Sequence, residues 1–96
     1  MAINQKVTKV IDGDTFEIKK GWEWNEQKGN LVRPTGYDTP EKGQPGYEKA
    51  KEKLTKLILG KIIEIKSAET IDHGRLVCSV IFNGKNLADY FPEYKK

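Results

Sequence analysis

One stretch of this chain spaces its apolar residues for a helix, and the sequence on either side alternates as strands do. Tyr47, Ala50, Leu54, Leu57 and Ile58 fall on a single helical face, the Lys and Glu residues between them form the solvated face, and Gly60 stops the run. Before it, Lys6 to Ile11 and Thr15 to Lys19 read as two strands joined by Asp12-Gly13-Asp14, where the Asp-Gly step supplies turn chemistry. A third strand is expected from Leu31 to Tyr37, followed by a loop marked by Pro40, Gly43, Pro45 and Gly46. After the helix, Lys61 to Lys66 and Leu76 to Phe82 make two more strands, and an Asn83-Gly84 turn leads into a short segment, Leu87 to Phe91. Three strands, a helix and two further strands suit a small barrel, though the pattern alone does not give the strand order.

Such an order predicts a mainly β, α+β fold: a five-stranded Greek-key barrel of the oligonucleotide/oligosaccharide-binding (OB) type, with one main helix after strand 3 and a short C-terminal helix. The 96 residues suffice for one core, so a single domain over 1–96 is expected. Lys20 to Asn30 carries Gly21, Asn25, Gly29 and Asn30 around Trp22 and Trp24, which predicts either a longer connection or a strand extension with exposed aromatics. Pro34 lacks a backbone donor, so its strand is expected to be at an edge or bulged there. The single cysteine, Cys78, cannot form an internal disulfide, and its apolar surroundings predict a core position. No apolar run is long enough for a membrane helix and MAINQKVTKV lacks a secretory leader, so the chain as written reads as cytoplasmic, or as secreted if a signal has been removed. A net charge of +3 permits a polyanionic partner without arguing for one.

The chemistry sits in the turns. Asp14 in IDGDT, Arg33, Asp38 and Glu41 in VRPTGYDTPE, and Arg75 in DHGR supply three carboxylates and two guanidinium groups. A phosphodiester is an anion that repels its nucleophile, and its transition state gathers more charge on the equatorial oxygens, so fixed cations are needed around it. Arginine suits this role because its planar fork donates two bonds to phosphate and keeps its charge at any working pH. Glu41 follows Asp38 by three residues across a Thr-Pro step that stiffens the loop, a position from which a carboxylate can take a proton from water. Taken singly, each residue has an ordinary reading as a turn former, surface charge or helix-approach carboxylate; only their joint occurrence points to a site. Asp12 reads as a turn residue or as a brace behind the site. An EF-hand reading of Asp12, Asp14 and Glu23 fails, because Phe16 and Glu17 stand where a ligand and a glycine are required. The lone histidine, His73, excludes a histidine-based metal cluster.

The segments VTKVIDGDTFEIK, VRPTGYDTPE, GYEKAKEKLTKLILGKIIEIK and DHGRLVCSVIFNGKNL, in this order, resemble the staphylococcal-nuclease-like (thermonuclease) family over nearly all of Val7 to Leu87. The resemblance implies the barrel fold and calcium-dependent endo- and exonucleolytic hydrolysis of phosphodiester bonds in DNA and RNA. It implies Asp14, Asp38 and the Thr39 carbonyl as metal ligands, with Ca²⁺ or another divalent cation as cofactor. Arg33 and Arg75 would be phosphate clamps and Glu41 the general base. His73 stands where the family usually has an aromatic, and with Tyr90 and Tyr94 is a candidate for stacking on substrate bases. The family's further C-terminal helices have no counterpart before Lys96. DNA and RNA are the expected partners, and a monomer without membrane contact is expected. Two alternatives remain: a non-catalytic OB-type nucleic-acid-binding module, and a protein-interaction module that keeps only the scaffold.

Overall fold

The structure is a computed structural model describing residues 3–95. Strands β1 (Ile3–Asp12), β2 (Thr15–Trp24) and β3 (Gln27–Pro34) precede helix α1 (Tyr47–Ile58). β4 (Ile62–Asp72), β5 (Arg75–Phe82) and a two-residue β6 (Lys85–Asn86) follow, ending in 3-10 turns at Leu87–Tyr90 and Pro92–Tyr94. The strands pair antiparallel in the order β3-β2-β1-β4-β5-β6, and a parallel pairing of β3 with β5 closes the first five into a barrel. Closure leaves no free edge along these strands, which is how small antiparallel sheets avoid exposing backbone. The mainly β barrel with one helix after the third strand is the expected OB-type architecture.

The core follows the alternation. Along β5 every second residue, Leu76, Cys78, Val80 and Phe82, points inward and is buried. In β1 the inward phase switches from Gln5 and Val7 to Val10, because a bulge between Val7 and Lys9 adds a residue to that strand. Helix α1 lays Ala50, Leu54 and Ile58 on the barrel beside β1, and its exit is pinned there: Gly60 N–H donates to Val7 O at 2.9 Å and Val7 N–H to Lys61 O at 2.9 Å. Leu87, Ala88 and Phe91 plug one end of the core from the 3-10 segment.

The stretch from Lys20 to Asn30 is a strand extension rather than a loop. β2 and β3 run on to an Asn25-Glu26 turn with φ of 52° and 65°, the double left-handed geometry of a two-residue hairpin. Trp22 is not an exposed aromatic: it is 5% exposed, donates from Nε1 to Leu31 O at 2.8 Å, and lies against Gly29, where any Cβ would approach its ring to 2.7 Å. Trp24 is half-buried against the same core. Gly21, at φ +78°, forms a bulge whose backbone is satisfied by buried Gln5, with Nε2 donating to Gly21 O at 2.9 Å and Oε1 accepting from Lys20 N–H at 3.2 Å. Pro34 ends β3 as a one-sided position: it pairs with Cys78 of β5, the ladder with β2 stops at Val32, and the donor to Cys78 O is the Thr35 N–H at 2.9 Å, so the missing donor of the proline costs no ladder bond, as the expected edge position requires. Tyr37 therefore lies beyond the strand expected to contain it. Strand β4 runs six residues further than expected, to Asp72. Among the described residues, no helix is long and apolar enough to cross a membrane.

Candidate active site

Four pieces of backbone meet at one end of the barrel. The β1–β2 turn carries Asp12 and Asp14, the last turn of β3 presents Arg33, the loop after β3 holds Asp38, Thr39 and Glu41, and β5 starts at Arg75. All six residues expected as metal ligands or catalytic groups, Asp14, Asp38, Thr39, Arg33, Glu41 and Arg75, line one cleft of about 500 Å³. Asp12, Pro40, Lys42 and Gln44 complete its wall.

Arg33 is the hub. Its Nη2 donates to Asp38 Oδ1 at 2.6 Å and lies 3.8 Å from Asp14 Oδ2, so both carboxylates converge on one guanidinium nitrogen. Its Nε is buried and has no hydrogen-bond partner among the described residues. Arg75 is held more tightly: Nε donates to Asp72 O at 3.2 Å, Nη2 to Asp72 Oδ2 at 3.0 Å, and Nη1 to Thr15 Oγ1 at 3.3 Å. Both guanidinium groups are about three-quarters buried, at 26% and 23% side-chain exposure, and so act in a medium where charge is screened less than in bulk water.

Asp14 is the buried member of the acidic set, 9% exposed. Its carboxyl is pushed up to about 6, first by burial and then by the hydrogen bond and charge of Asp12, against the opposing pull of Arg33 and of hydrogen bonding from the Thr39 backbone. Two acids pressed together with one arginine near them form a pocket that favours an added positive charge. Asp38 is more open, at 49% side-chain exposure, and its backbone N–H is fixed by Tyr94 O at 3.0 Å. Tyr37, one residue earlier, is 1% exposed and donates its hydroxyl to Gly13 O at 2.9 Å. Burial and the nearby Asp14 and Asp12 carboxylates hold that phenol far above its ordinary range, so it stays a donor.

Among the described residues, no three or more His, Cys, Asp or Glu side chains cluster closely enough to enclose a metal ion on their own. What the cleft offers is an open oxygen set: the Asp14 and Asp38 carboxylates facing one cationic nitrogen, with Thr39 adjacent and its buried Oγ1 lacking any partner. These are the oxygen donors a hard divalent cation takes, and with only two side-chain carboxylates most of such an ion's shell would be left to water and substrate oxygens. Glu41 is exposed at the rim, and its loop is clamped by Gln44, whose Oε1 accepts from Glu41 N–H at 2.8 Å while its own N–H donates to Glu41 O at 2.9 Å.

The three candidate base-stacking residues stand apart from the cleft. His73 occupies the β4–β5 turn at φ 52°, with 85% side-chain exposure and Nδ1 3.0 Å from Asp72 Oδ1. Tyr90 donates its hydroxyl to Phe82 O at 2.9 Å and packs on the Phe82 ring, under the Lys85 ammonium. Tyr94 packs on Phe91 and faces a groove beside α1. Tyr94 reaches the cleft's loop through its backbone, its carbonyl accepting from Asp38 N–H at 3.0 Å, while neither tyrosine ring lines the cleft. Cys78 is fully buried and its thiol is pushed up to about 12 by burial and by Glu69, so it is no nucleophile. Asp12, one of whose two readings from the sequence is a brace behind the site, lines the cleft, and Lys42, Gln44 and Asp72 join or brace it although the sequence does not single them out for it. Asp72 and Gln44 each stand three residues from a site residue, the one signal that could have found them.

No protein-family model matches the chain. A protein of Capnoides sempervirens described only as an uncharacterized 38.1 kDa protein is 34% identical over 74 residues, covering 68% of this chain and 22% of its own length. The probable endonuclease LCL3 of Komagataella phaffii is 30% identical over 112 residues, covering 88% of this chain and 49% of its own. The chain thus spans about half, or less, of the length of the curated relatives it matches.

Proposed function

We propose that this chain is a staphylococcal-nuclease-like phosphodiesterase that hydrolyses DNA and RNA with a divalent cation, calcium being the expected one. The observation that carries the reading is the convergence of Asp14 and Asp38 on the Arg33 guanidinium, with Arg75 and Glu41 on the walls of the same cleft. The likeness to a probable endonuclease supports it.

Asp14, Asp38 and Thr39 would hold the cation, which when bound offsets the charge of the phosphate and polarises its oxygens. The chain's own residues do the rest. Arg33 and Arg75, both lining the cleft, would bind the phosphate; Arg75, already fixed by Asp72 and Thr15, is preorganised, and a fixed cation stabilises developing charge without reorganising during the reaction. Arg33 must exchange its Asp38 contact for a phosphate oxygen, a trade favoured once a second cation neutralises that carboxylate. Glu41, exposed on a loop locked by Gln44, accepts the proton of the attacking water. Contacts of this kind read phosphate rather than base, so sequence preference is weak.

A non-catalytic binding module explains the cleft poorly, because three aspartates beside a phosphate repel it unless a cation intervenes. The test is incubation with single-stranded DNA in calcium and then in chelator, alongside Glu41→Gln and Arg33→Ala. Cleavage should need calcium and fall in Glu41→Gln by roughly a hundred- to ten-thousandfold. Cleavage that survives chelator and both substitutions overturns the proposal, and binding without cleavage under any divalent metal favours the binding module.

A further inference from the structure

We propose that Tyr37 is a positioning residue: its hydroxyl bolts the turn bearing Asp14 to the loop bearing Asp38, setting the separation of the two carboxylates. The proposal rests on the nuclease reading above for its functional consequence, but its structural content stands on the barrel itself.

Asp14 and Asp38 lie 24 positions apart, on segments that share no strand pairing. Tyr37 immediately precedes Asp38, and its hydroxyl reaches Gly13 O, the carbonyl immediately before Asp14, at 2.9 Å. The reach is fixed because the ring cannot move: it is 1% exposed and stacks on Phe91 with centroids 4.5 Å apart and planes at 9°. Phe91 is itself fully buried beneath the Lys53 ammonium, 4.7 Å from its ring. The two segments also touch without a spacer. A Cβ on Gly13 would fall 2.7 Å from Thr39 Oγ1 and 2.8 Å from the Ala50 Cβ, so the turn is seated directly on the loop. On the far side the loop is anchored by Tyr94 O on Asp38 N–H and by a bridge between Tyr37 and Lys95. One rigid side chain therefore ties two ligand-bearing backbones, and a cation shared by both carboxylates needs each within about 2.3–2.6 Å of it.

Tyr37→Phe keeps the ring and its stacking and removes only the bolt. Amide hydrogen exchange should quicken about tenfold at residues 13–14 and 38–39 together, the size expected from one buried hydrogen bond. By isothermal titration, calcium affinity should fall by about the same factor, and kcat on an oligonucleotide should fall while KM holds, since the arginines are untouched. A purely structural tyrosine predicts something else: a lower melting temperature with calcium affinity and kcat as in the wild type, which overturns the proposal. Unchanged exchange at both segments overturns it whatever the enzyme does. Faster exchange at both, in a protein whose wild type neither binds calcium nor cleaves DNA, sustains the bolt and refutes the nuclease reading instead.

Discussion

Asp14 is held where a carboxylate would rather be neutral. Its pKa is raised, so the folded state holds its proton more tightly than the unfolded chain does, and its contribution to stability is greatest below about 4 and is lost as pH rises through about 6. Asp14→Asn should therefore melt higher than the wild type at pH 7 and at nearly the same temperature at pH 4, while losing calcium-dependent activity. The comparison must be between variants, because Lys-paired surface acids such as Glu52 and Asp89 have lowered pKa values and push the other way. Equal melting of the two proteins at both pH values would remove the electrostatic reading of this residue. Arg33→Lys tests the clamp: a point charge cannot span Asp14, Asp38 and a phosphate oxygen as a fork does, and a loss of about a hundredfold in kcat is expected in steady-state assays. Asp14, Asp38, Arg33 and Arg75 are legible in the sequence because their spacing within short turn motifs is itself the signal. Asp12 is legible only as an alternative, turn residue or brace, and Gln44 not at all, since the same letters serve ordinary turns; what distinguishes them is the group each lies against, Asp14 for the one and Glu41 for the other.

At the scale of elements, the helix bounds and hairpin turns follow from local chemistry. Gly60 at φ +79° ends α1, and Asn83-Gly84 at 52° and 75° makes the turn the residues predict. The Lys20–Asn30 region resists such reading because its outcome is decided across the sheet: Gly21 can bulge only because Gln5, 16 residues away, supplies both partners for the exposed backbone. Likewise Trp22 is drawn into the core by a glycine on the facing strand rather than by its own neighbours. The loop between β3 and α1 has a similar non-local logic on a smaller scale. Gln44 closes it with two hydrogen bonds to Glu41, one from its side chain and one from its backbone. Gln44→Ala removes one of them and should lower kcat about tenfold while leaving calcium binding intact, as measured by titration; parallel losses of both would mean that the loop supports the acidic set rather than the base.

Over the whole molecule, one closure makes the site. The parallel β3–β5 pairing sets Leu31 opposite Arg75 and Arg33 opposite Val77, bringing the two guanidinium groups to one wall, and the β1–β2 turn completes the rim. The order of strands along the chain foretells a barrel, but this pairing joins residues more than forty positions apart, and no local pattern encodes it. The chain carries +3 overall while its cleft sets three aspartates and a glutamate against Arg33, Arg75 and Lys42, so the proposed cation would tip the balance of charge in the cleft toward a phosphate. A ligand that binds only the folded state stabilises it; at a calcium concentration a hundred times its dissociation constant the gain is about 2.7 kcal/mol, or more than ten degrees in Tm for a domain of this size. Chelator should reverse the shift, and magnesium in place of calcium should give a smaller one if the site favours a large, loosely held ion.

The most direct measurement is the rate of oligonucleotide cleavage followed across a calcium titration, with the thermal shift recorded on the same samples. The proposed sharing of one cation by Asp14 and Asp38 predicts a saturable rise in rate whose midpoint coincides with that of the thermal shift, and loss of both responses in Asp38→Asn. A rate that is flat across the titration, or a thermal shift that survives Asp38→Asn unchanged, would contradict it.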